Sequence, residues 1–332
     1  MVLVSTSSNA AASCAEVHQL LCGRDIAVAE TANTDGHDGS DLRRRQIFGF
    51  ASQMANYVYV IIDKETRAAC LIDPCWDVTG IVNICKETLG VSEISCAVFT
   101  HRHFDHTGGR VPASLVGVKG VRVEGVAEVR RAGVKRVCVG DLDAEAVCKQ
   151  TGLHSGALHR LRDGERIAVG GSTFLETIHT PGHTPGSICL MLLKGAGKDP
   201  RSTIRNSGVL FTGDTLFIGS CGRYDLPESN PRALLASLNR LSSLDEGCIV
   251  LPGHNYARPA HTTIGQEKKT NAMLLQAMRL TQQESTPPGT LLRKNDVVAF
   301  VSLPKYIECA REAFLHSSLK GGDDKKGCCS KL

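Results

Sequence analysis

The sequence lacks any apolar run close to the roughly twenty residues that a membrane-spanning helix needs. A soluble protein without a membrane span is therefore expected. It also lacks an excess of one charge, because the formal net charge is +4 and Lys and Arg are spread along the 332 residues. A nucleic-acid-binding stripe is not expected from this pattern, whereas a small anionic substrate is compatible with it.

Cys-x-x-Cys pairs are missing although the chain has 14 cysteines, and no stretch typical of a secretory signal peptide is present. This pattern does not favour a disulfide framework, so we expect reduced thiols. Cys70, Cys96 and Cys189 lie inside apolar runs, where cysteine acts as a small buried hydrophobic residue.

What the sequence does contain is one dense cluster, Thr100-His101-Arg102-His103-Phe104-Asp105-His106-Thr107-Gly108-Gly109, directly after an apolar run. Imidazole and carboxylate groups suit zinc, iron and manganese, so the cluster predicts a metal site. His101 and His103 could hold one ion while Asp105 and His106 hold a second. A solvated polar loop is the alternative interpretation.

Three further apolar runs also lead to a histidine or an aspartate. They end at 178, 213 and 251 and are followed by His183, Asp214 and His254. A buried strand, a tight turn and a ligand-type residue recur each time, which core histidines alone do not explain. Open α/β folds bind ligands at the carboxyl ends of strands. His179 lies close to His183 but is aligned with its strand, and we interpret it as structural.

The residue pattern also predicts the order of elements and the domain limits. We expect a hairpin over 56–73, a helix over 77–89, a strand over 95–100 and a helix from Pro231, and a short helix over 15–21 is compatible with the pattern. The predicted units are a loosely ordered extension at 1–45, a catalytic domain at 46–280, a helical extension at 281–320 and a flexible tail at 321–332.

Several motifs together resemble the metallo-β-lactamase fold and, within it, the glyoxalase II (hydroxyacylglutathione hydrolase) and persulfide dioxygenase branch. The matching segments are Leu71-Ile72-Asp73-Pro74, the cluster at 100, Thr180-Pro181-Gly182-His183-Thr184, Gly213-Asp214-Thr215-Leu216-Phe217, Cys221-Gly222-Arg223 and Pro252-Gly253-His254-Asn255-Tyr256. The resemblance implies an α/β fold, a four-layer αβ/βα sandwich of two sheets with helices outside.

The resemblance also implies a ligand set for two divalent ions, zinc or a mixture of iron and manganese. The first ion would be held by His101, His103 and His183, the second by Asp105, His106 and His254, with Asp214 as the bridge and Asp73 orienting the ligand imidazoles. Two such ions lower the pKa of a shared water and polarise a carbonyl. Asp105 and Asp214 are the expected catalytic carboxylates.

The leading functional hypothesis is hydrolysis of a small anionic thioester by a metal-bound hydroxide, similar to glyoxalase II. Arg223 and Tyr256 match the residues that hold glutathione in that family, whereas Asp225 stands where an aromatic side chain is usual there. The long helical segment that completes the glutathione pocket is missing, since the stretch at 262–271 follows Tyr256 almost at once. We therefore expect a more open pocket.

Two other functional classes compete with this hypothesis. A persulfide dioxygenase would use a single iron at the positions matching His101, His183 and Asp214. A non-catalytic metal-binding protein would keep the fold without turnover, but a complete buried ligand set makes this the weakest alternative. A nuclease is not supported, because no basic run accompanies the motifs.

The sequence ends in Ser330-Lys331-Leu332, which is typical of an address read by the peroxisomal import receptor. The same end is compatible with geranylgeranylation of Cys329, although Ser330 and Lys331 are a poor aliphatic pair. We expect a peroxisome-type organelle, either peroxisome or glycosome, or the cytoplasm.

Overall fold

The structure is a computed structural model that describes residues 1–3, 14–29, 40–116, 120–193 and 208–284. Its strands are β1 Val2–Leu3, β2 Ala15–Leu21, β3 Tyr57–Asp63, β4 Ala68–Ile72, β5 Glu93–Phe99, β6 Gly109–Arg110, β7 Arg122–Val123, β8 Arg136–Gly140, β9 His159–Leu161, β10 Arg166–Ala168, β11 Phe174–His179, β12 Ile188–Leu193, β13 Val209–Gly213, β14 Leu216–Phe217, β15 Ser220–Cys221, β16 Ile249–Pro252 and β17 Thr262–Thr263. Its helices are α1 Ser40–Met54, α2 Val78–Asn83, α3 Phe104–Thr107, α4 Ala113–Val116, α5 Val126–Arg131, α6 Ala144–Thr151, α7 Pro231–Ser242, α8 Ile264–Thr270 and α9 Ala272–Glu284, with a π-helical turn Ile84–Thr88 continuing α2.

The first half of the chain forms a seven-stranded sheet in the order β1-β2-β3-β4-β5-β8-β9. Strands β2, β3 and β4 pair antiparallel, whereas β4, β5, β8 and β9 pair in parallel. The predicted hairpin is confirmed in β3 and β4. Asp77 caps α2 by accepting a hydrogen bond from Gly80 N, so the predicted start of this crossover helix is also confirmed.

The second sheet has six strands in the order β10-β11-β12-β13-β16-β17. Strands β10 to β13 meander antiparallel, and β13 then pairs in parallel with β16 after the crossover through α7. Helix α7 begins at Pro231, and Asn230 caps it by accepting a hydrogen bond from Ala233 N. Proline suits this first position because the helix needs no N–H donor there.

Both sheets are apolar on both faces, which is why their strands lack a simple polar alternation. Tyr59 and Ile61 of β3 pack with Leu190 of β12 in the core between the sheets. Val58 and Val60 point the other way and pack under the helices of the first half, because successive strand residues face opposite sides. Helices α7 to α9 cover the second sheet. The predicted four-layer αβ/βα sandwich is confirmed.

The short helix that the pattern allowed over residues 15–21 is not formed, because Ala15–Leu21 forms β2 and pairs along its whole length with β3. Val17 and Leu20 are fully buried on opposite faces of the sheet, which a surface helix would not achieve. The predicted extension at 1–45 is wrong for its described part, which contributes β1, β2 and the first turn of α1. Helix α9 runs past the predicted limit at 280, and residues 285–332 with the terminal tripeptide lie outside the described residues.

Within the described residues, no helix is both long enough and apolar enough to cross a membrane. The cysteines of this part of the chain are all free. Cys70, Cys96 and Cys189 are fully buried, which confirms the prediction that they pack as small hydrophobic residues.

Candidate metal centre

Four loops meet at one edge of the sandwich, and each leaves the carboxyl end of a strand. The loop after β5 carries His101, and the loops after β11, β13 and β16 carry His183, Asp214 and His254. Gly213 has φ 47°, and a Cβ there would lie 2.6 Å from Thr100 Oγ1. Glycine is therefore required where β13 meets the end of β5.

His101, His103 and His183 form a first group of donors. Nδ1 of His103 lies 3.0 Å from Nε2 of His101 and 2.9 Å from Nε2 of His183. His101 and His183 are buried, whereas His103 is half-buried. The ligand atoms of all three lie within 4.8 Å of one another, a spacing that a single ion could span.

Asp105, His106 and His254 form a second group, and all three are buried. The short helix α3 carries Asp105 and His106, whereas His254 follows β16. The Nε2 atoms of His106 and His254 are 3.1 Å apart, and Oδ2 of Asp105 lies 3.4 Å from Nε2 of His254.

Asp214 contacts both groups. Its Oδ2 lies 3.6 Å from Nε2 of His183 and 3.4 Å from Nε2 of His254. Its Oδ1 lies 3.3 Å from Nε2 of His106 and, within the described part of the chain, is a buried oxygen with no hydrogen-bond partner. The structure thus brings all seven ligand-type residues expected from the sequence to one place.

Each of the five imidazoles has one ring nitrogen that faces the other donors and directs its second ring nitrogen outward at a protein acceptor. These outward contacts determine the tautomers. At 2.7 to 3.1 Å, these acceptors are Thr100 Oγ1 for His101, Glu228 Oε1 for His103, Asp73 Oδ2 for His106, Arg223 O for His183 and Met54 O for His254. A neutral imidazole that donates outward carries a lone pair on its inward nitrogen. Inward lone pairs and carboxylate oxygens that face one another fit divalent cations.

Charge is distributed unequally between the two groups. Burial lowers the pKa of His101 and, with the neighbouring His103, lowers the pKa of His183 to about 4. Burial also opposes a charge on His254, but Asp214 and Asp105 outweigh it and raise the pKa of His254 to about 9. A cation that binds at the second group therefore displaces protons.

Sequence reasoning missed Asn56, which lies among the donors of the second group. Its Nδ2 donates to Oδ2 of Asp105 at 3.1 Å, and its Oδ1 accepts a hydrogen bond from Trp76 Nε1 at 3.0 Å. Asn56 directly precedes β3 on a segment without ligand spacing, so only the tertiary structure reveals it.

Sequence reasoning also missed two carboxylates that support the first group. Asp143 accepts hydrogen bonds from Arg102 N at 3.0 Å and Thr184 Oγ1 at 2.6 Å, which ties together the two loops that carry the group. Glu228 lies 2.9 Å from Nε2 of His103. Glu228 does not follow an apolar run, which was the signal that identified the ligands, whereas Asp143 stands three residues after β8 and could have been found by that signal.

A cavity of about 430 Å³ lies over the donors, and Arg223 and Tyr256 both line it. The Tyr256 ring stacks on His254 with centroids 4.7 Å apart. The Arg223 guanidinium is engaged in two hydrogen bonds of 2.9 Å to Asp225. Of the described residues, none beyond Tyr256 lines the cavity, so α8 and α9 form no part of its wall there.

The comparison with protein families identifies the family to which this arrangement of donors belongs. Residues 53–195 and 200–254 match the metallo-beta-lactamase superfamily. The chain belongs to the metallo-beta-lactamase superfamily. This confirms the resemblance expected from the motifs, and membership together with the converging donors supports a metal-dependent hydrolase.

Within the superfamily the chain is similar to proteins of two different activities. It is 28% identical over 260 residues to a probable hydroxyacylglutathione hydrolase of Schizosaccharomyces pombe, covering 69% of this chain and 84% of that protein. It is 29% identical over 242 residues to the human mitochondrial persulfide dioxygenase ETHE1, covering 72% and 78%. The crystal structure of ETHE1 from Myxococcus xanthus is similar with a TM-score of 0.50 and 26% identity, covering 79% of this chain and 96% of that one.

Proposed function

We propose that this protein is a metal-dependent thioester hydrolase similar to the hydroxyacylglutathione hydrolases. The observation that carries the proposal is the second donor group, in which Asp105, His106 and His254 converge beside the first. The two groups would hold two ions, zinc or a mixture of iron and manganese, with Asp214 between them. Two such ions generate a nucleophile from water at neutral pH and polarise the carbonyl that it attacks.

The surrounding residues supply orientation and charge. Asn56 donates to Oδ2 of Asp105 and so fixes the direction of that carboxylate. His254 and His106 outweigh the effect of burial on Asp214 and keep its pKa well below the usual range, so it is ionised and suited to bind a cation.

A cysteine nucleophile is not part of the proposal, although Cys221 lines the cavity. Burial raises the pKa of Cys221 to about 12, so its thiol stays protonated near neutral pH. A protonated thiol is a poor nucleophile. Hydrolysis therefore depends on the donors of the two groups.

The thiol carrier of the substrate is proposed to be small and anionic, such as glutathione. Arg223 and Tyr256 line the cavity and are the residues proposed to hold it. Two of the five N–H donors of the Arg223 guanidinium are committed to Asp225, and both lie on one edge of the group.

The test is turnover of S-D-lactoylglutathione and related thioesters by purified protein whose metal content has been measured. We expect hydrolysis by the parent protein and a loss of at least about a hundredfold in Asp105→Asn, which keeps the shape but removes a charged ligand. Asp163→Asn is the matched control, because Asp163 is an exposed carboxylate paired with Arg240. A metal-loaded protein that cleaves no thioester would refute the proposal.

A second candidate is a persulfide dioxygenase with a single iron at His101, His183 and Asp214. The observation that favours it is coverage, since the similarity extends over 96% of the Myxococcus xanthus ETHE1 chain. Oxygen uptake with glutathione persulfide, at one iron per chain, distinguishes this activity from hydrolysis.

A further inference from the structure

The cavity over the donors has two chemically different ends. One end is lined by Phe50, Met54 and Leu115, which pack in the core of the first half, and the other is lined by Ser220, Arg223 and Glu228. Because a thioester carbon has its acyl group on one side and its sulfur on the other, the two ends would receive different parts of the substrate.

The first of these ends is apolar. Phe104 lies between His103 and Asp105 in the sequence, and its ring stacks on that of Phe50 with centroids 6.2 Å apart. Met54 and Leu115 pack against the same core cluster and also line the cavity. None of these four residues carries a charge.

The second end is polar and charged. Tyr256 belongs to it, because its ring contacts Phe217, which pairs with Ser220. Glu228 lies 2.9 Å from Nε2 of His103, and the backbone oxygen of Arg223 lies 2.7 Å from Nδ1 of His183. The side chains of Arg223 and Glu228 line the cavity here, with Ser220. A charged thiol carrier fits this end, because at the apolar end the polar groups of the carrier would be buried without hydrogen-bond partners.

We propose that the apolar end receives an apolar acyl group, an unbranched aliphatic chain or an aromatic ring, in preference to a hydroxyacyl group. This inference rests on the proposed thioester hydrolysis and assigns its substrate class. A hydroxyl on the acyl group would lie against Phe50, Phe104 and Leu115 and would lose its hydrogen bonds to water without replacement. Each methylene buried there gains apolar contact instead.

A series of acyl groups on one thiol tests the assignment in the parent protein. Glutathione thioesters of propionate and D-lactate differ only in one hydroxyl, and butyryl and hexanoyl thioesters extend the chain. We expect propionyl to exceed D-lactoyl in kcat/KM by roughly tenfold, and kcat/KM to rise about fourfold per added methylene until the cavity is filled.

One variant and its matched control show where in the cavity the acyl chain binds. Leu115→Gln places an amide in the apolar end and should reduce the rise in kcat/KM per added methylene from about fourfold to less than about twofold. Leu142→Gln is the control, because Leu142 is 61% exposed and does not line the cavity.

The outcomes distinguish failure of the proposed thioester hydrolysis from failure of the acyl-group assignment. If the metal-loaded protein cleaves no thioester, the proposed function fails. If it cleaves thioesters but D-lactoyl equals or exceeds propionyl, or if Leu115→Gln keeps the full chain-length dependence, only the assignment of an apolar acyl group is overturned.

Discussion

Asp73 accepts a hydrogen bond from Nδ1 of His106 at 2.8 Å, and this contact connects the two donor groups. The same carboxylate oxygen accepts a hydrogen bond from the Thr100 hydroxyl at 2.7 Å, and that hydroxyl lies 3.1 Å from Nδ1 of His101. One buried carboxylate thus orients a ring in each group. Asp73 has φ 50°, a conformation that asparagine also tolerates.

Asp73→Asn should weaken metal binding by about 10- to 100-fold, because the amide cannot accept all of these hydrogen bonds and does not increase the basicity of His106. Competition with a chelator, followed by metal analysis, measures the change. Unchanged affinity in Asp73→Asn would show that the contact does not tune the centre.

Glu228→Gln should weaken retention of the metal at the first group, by about tenfold. The hydrogen bond with His103 lowers the pKa of Glu228 to about 2, so the residue faces Nε2 of His103 as a carboxylate. Its neutral replacement keeps the acceptor but loses the charge that fixes and polarises the ring. Chelator titration of the two ions checks this, with Glu246→Gln as control because the Glu246 side chain is 63% exposed. Equal weakening of both ions would contradict a role confined to the first group.

Asp225→Asn should lower KM for glutathione thioesters by about threefold with little change in kcat. The substitution releases the partly exposed Arg223 from its ion pair, and exposed pairs contribute only about 1 kcal/mol or less. Thioesters of the uncharged thiol N-acetylcysteamine are the control substrates. A parallel change for charged and uncharged carriers would show that Arg223 does not bind the carrier's charge.

Much of the centre could be predicted because its ligands share a local signature. His101, His183, Asp214 and His254 each follow an apolar strand, and parallel strands bring such ends to one edge. Asn56 and Glu228 have no such signature, and they reach the centre only through tertiary contacts, whereas Asp143 follows β8 and shares the signature. The local pattern at 15–21 also allowed a helix, and only pairing with β3 shows that the segment is a strand.

Asp63 links the two sheets through its hydrogen bonds, and its ionisation should make the free energy of unfolding depend on pH. Burial raises the pKa of Asp63, but hydrogen bonds from Thr173, Thr66 and Ser172 outweigh it and hold the pKa well below 3.8. Because the folded-state pKa is depressed, the stabilisation is present above about pH 4 and is lost as the pH falls further. Asp63→Asn should lower the free energy of unfolding at pH 7 by about 1 to 3 kcal/mol, with a smaller difference from the parent at pH 3.

Urea unfolding of the metal-free proteins at both pH values measures this difference. Asp245→Asn provides a matched surface substitution, because Asp245 is exposed and accepts a local hydrogen bond from Gly247 N. An offset between Asp63→Asn and the parent that stays constant from pH 7 to pH 3 would contradict the account.

Metal content of protein purified without added metal, measured alongside His254→Ala, tests the two-ion centre most directly. We expect about two ions per parent chain and about one in His254→Ala, with thioester hydrolysis lost in the variant. His261→Ala is the control, because His261 is exposed and should leave the count unchanged. A single iron per chain that survives in His254→Ala, with oxygen uptake on glutathione persulfide, would contradict the hydrolase.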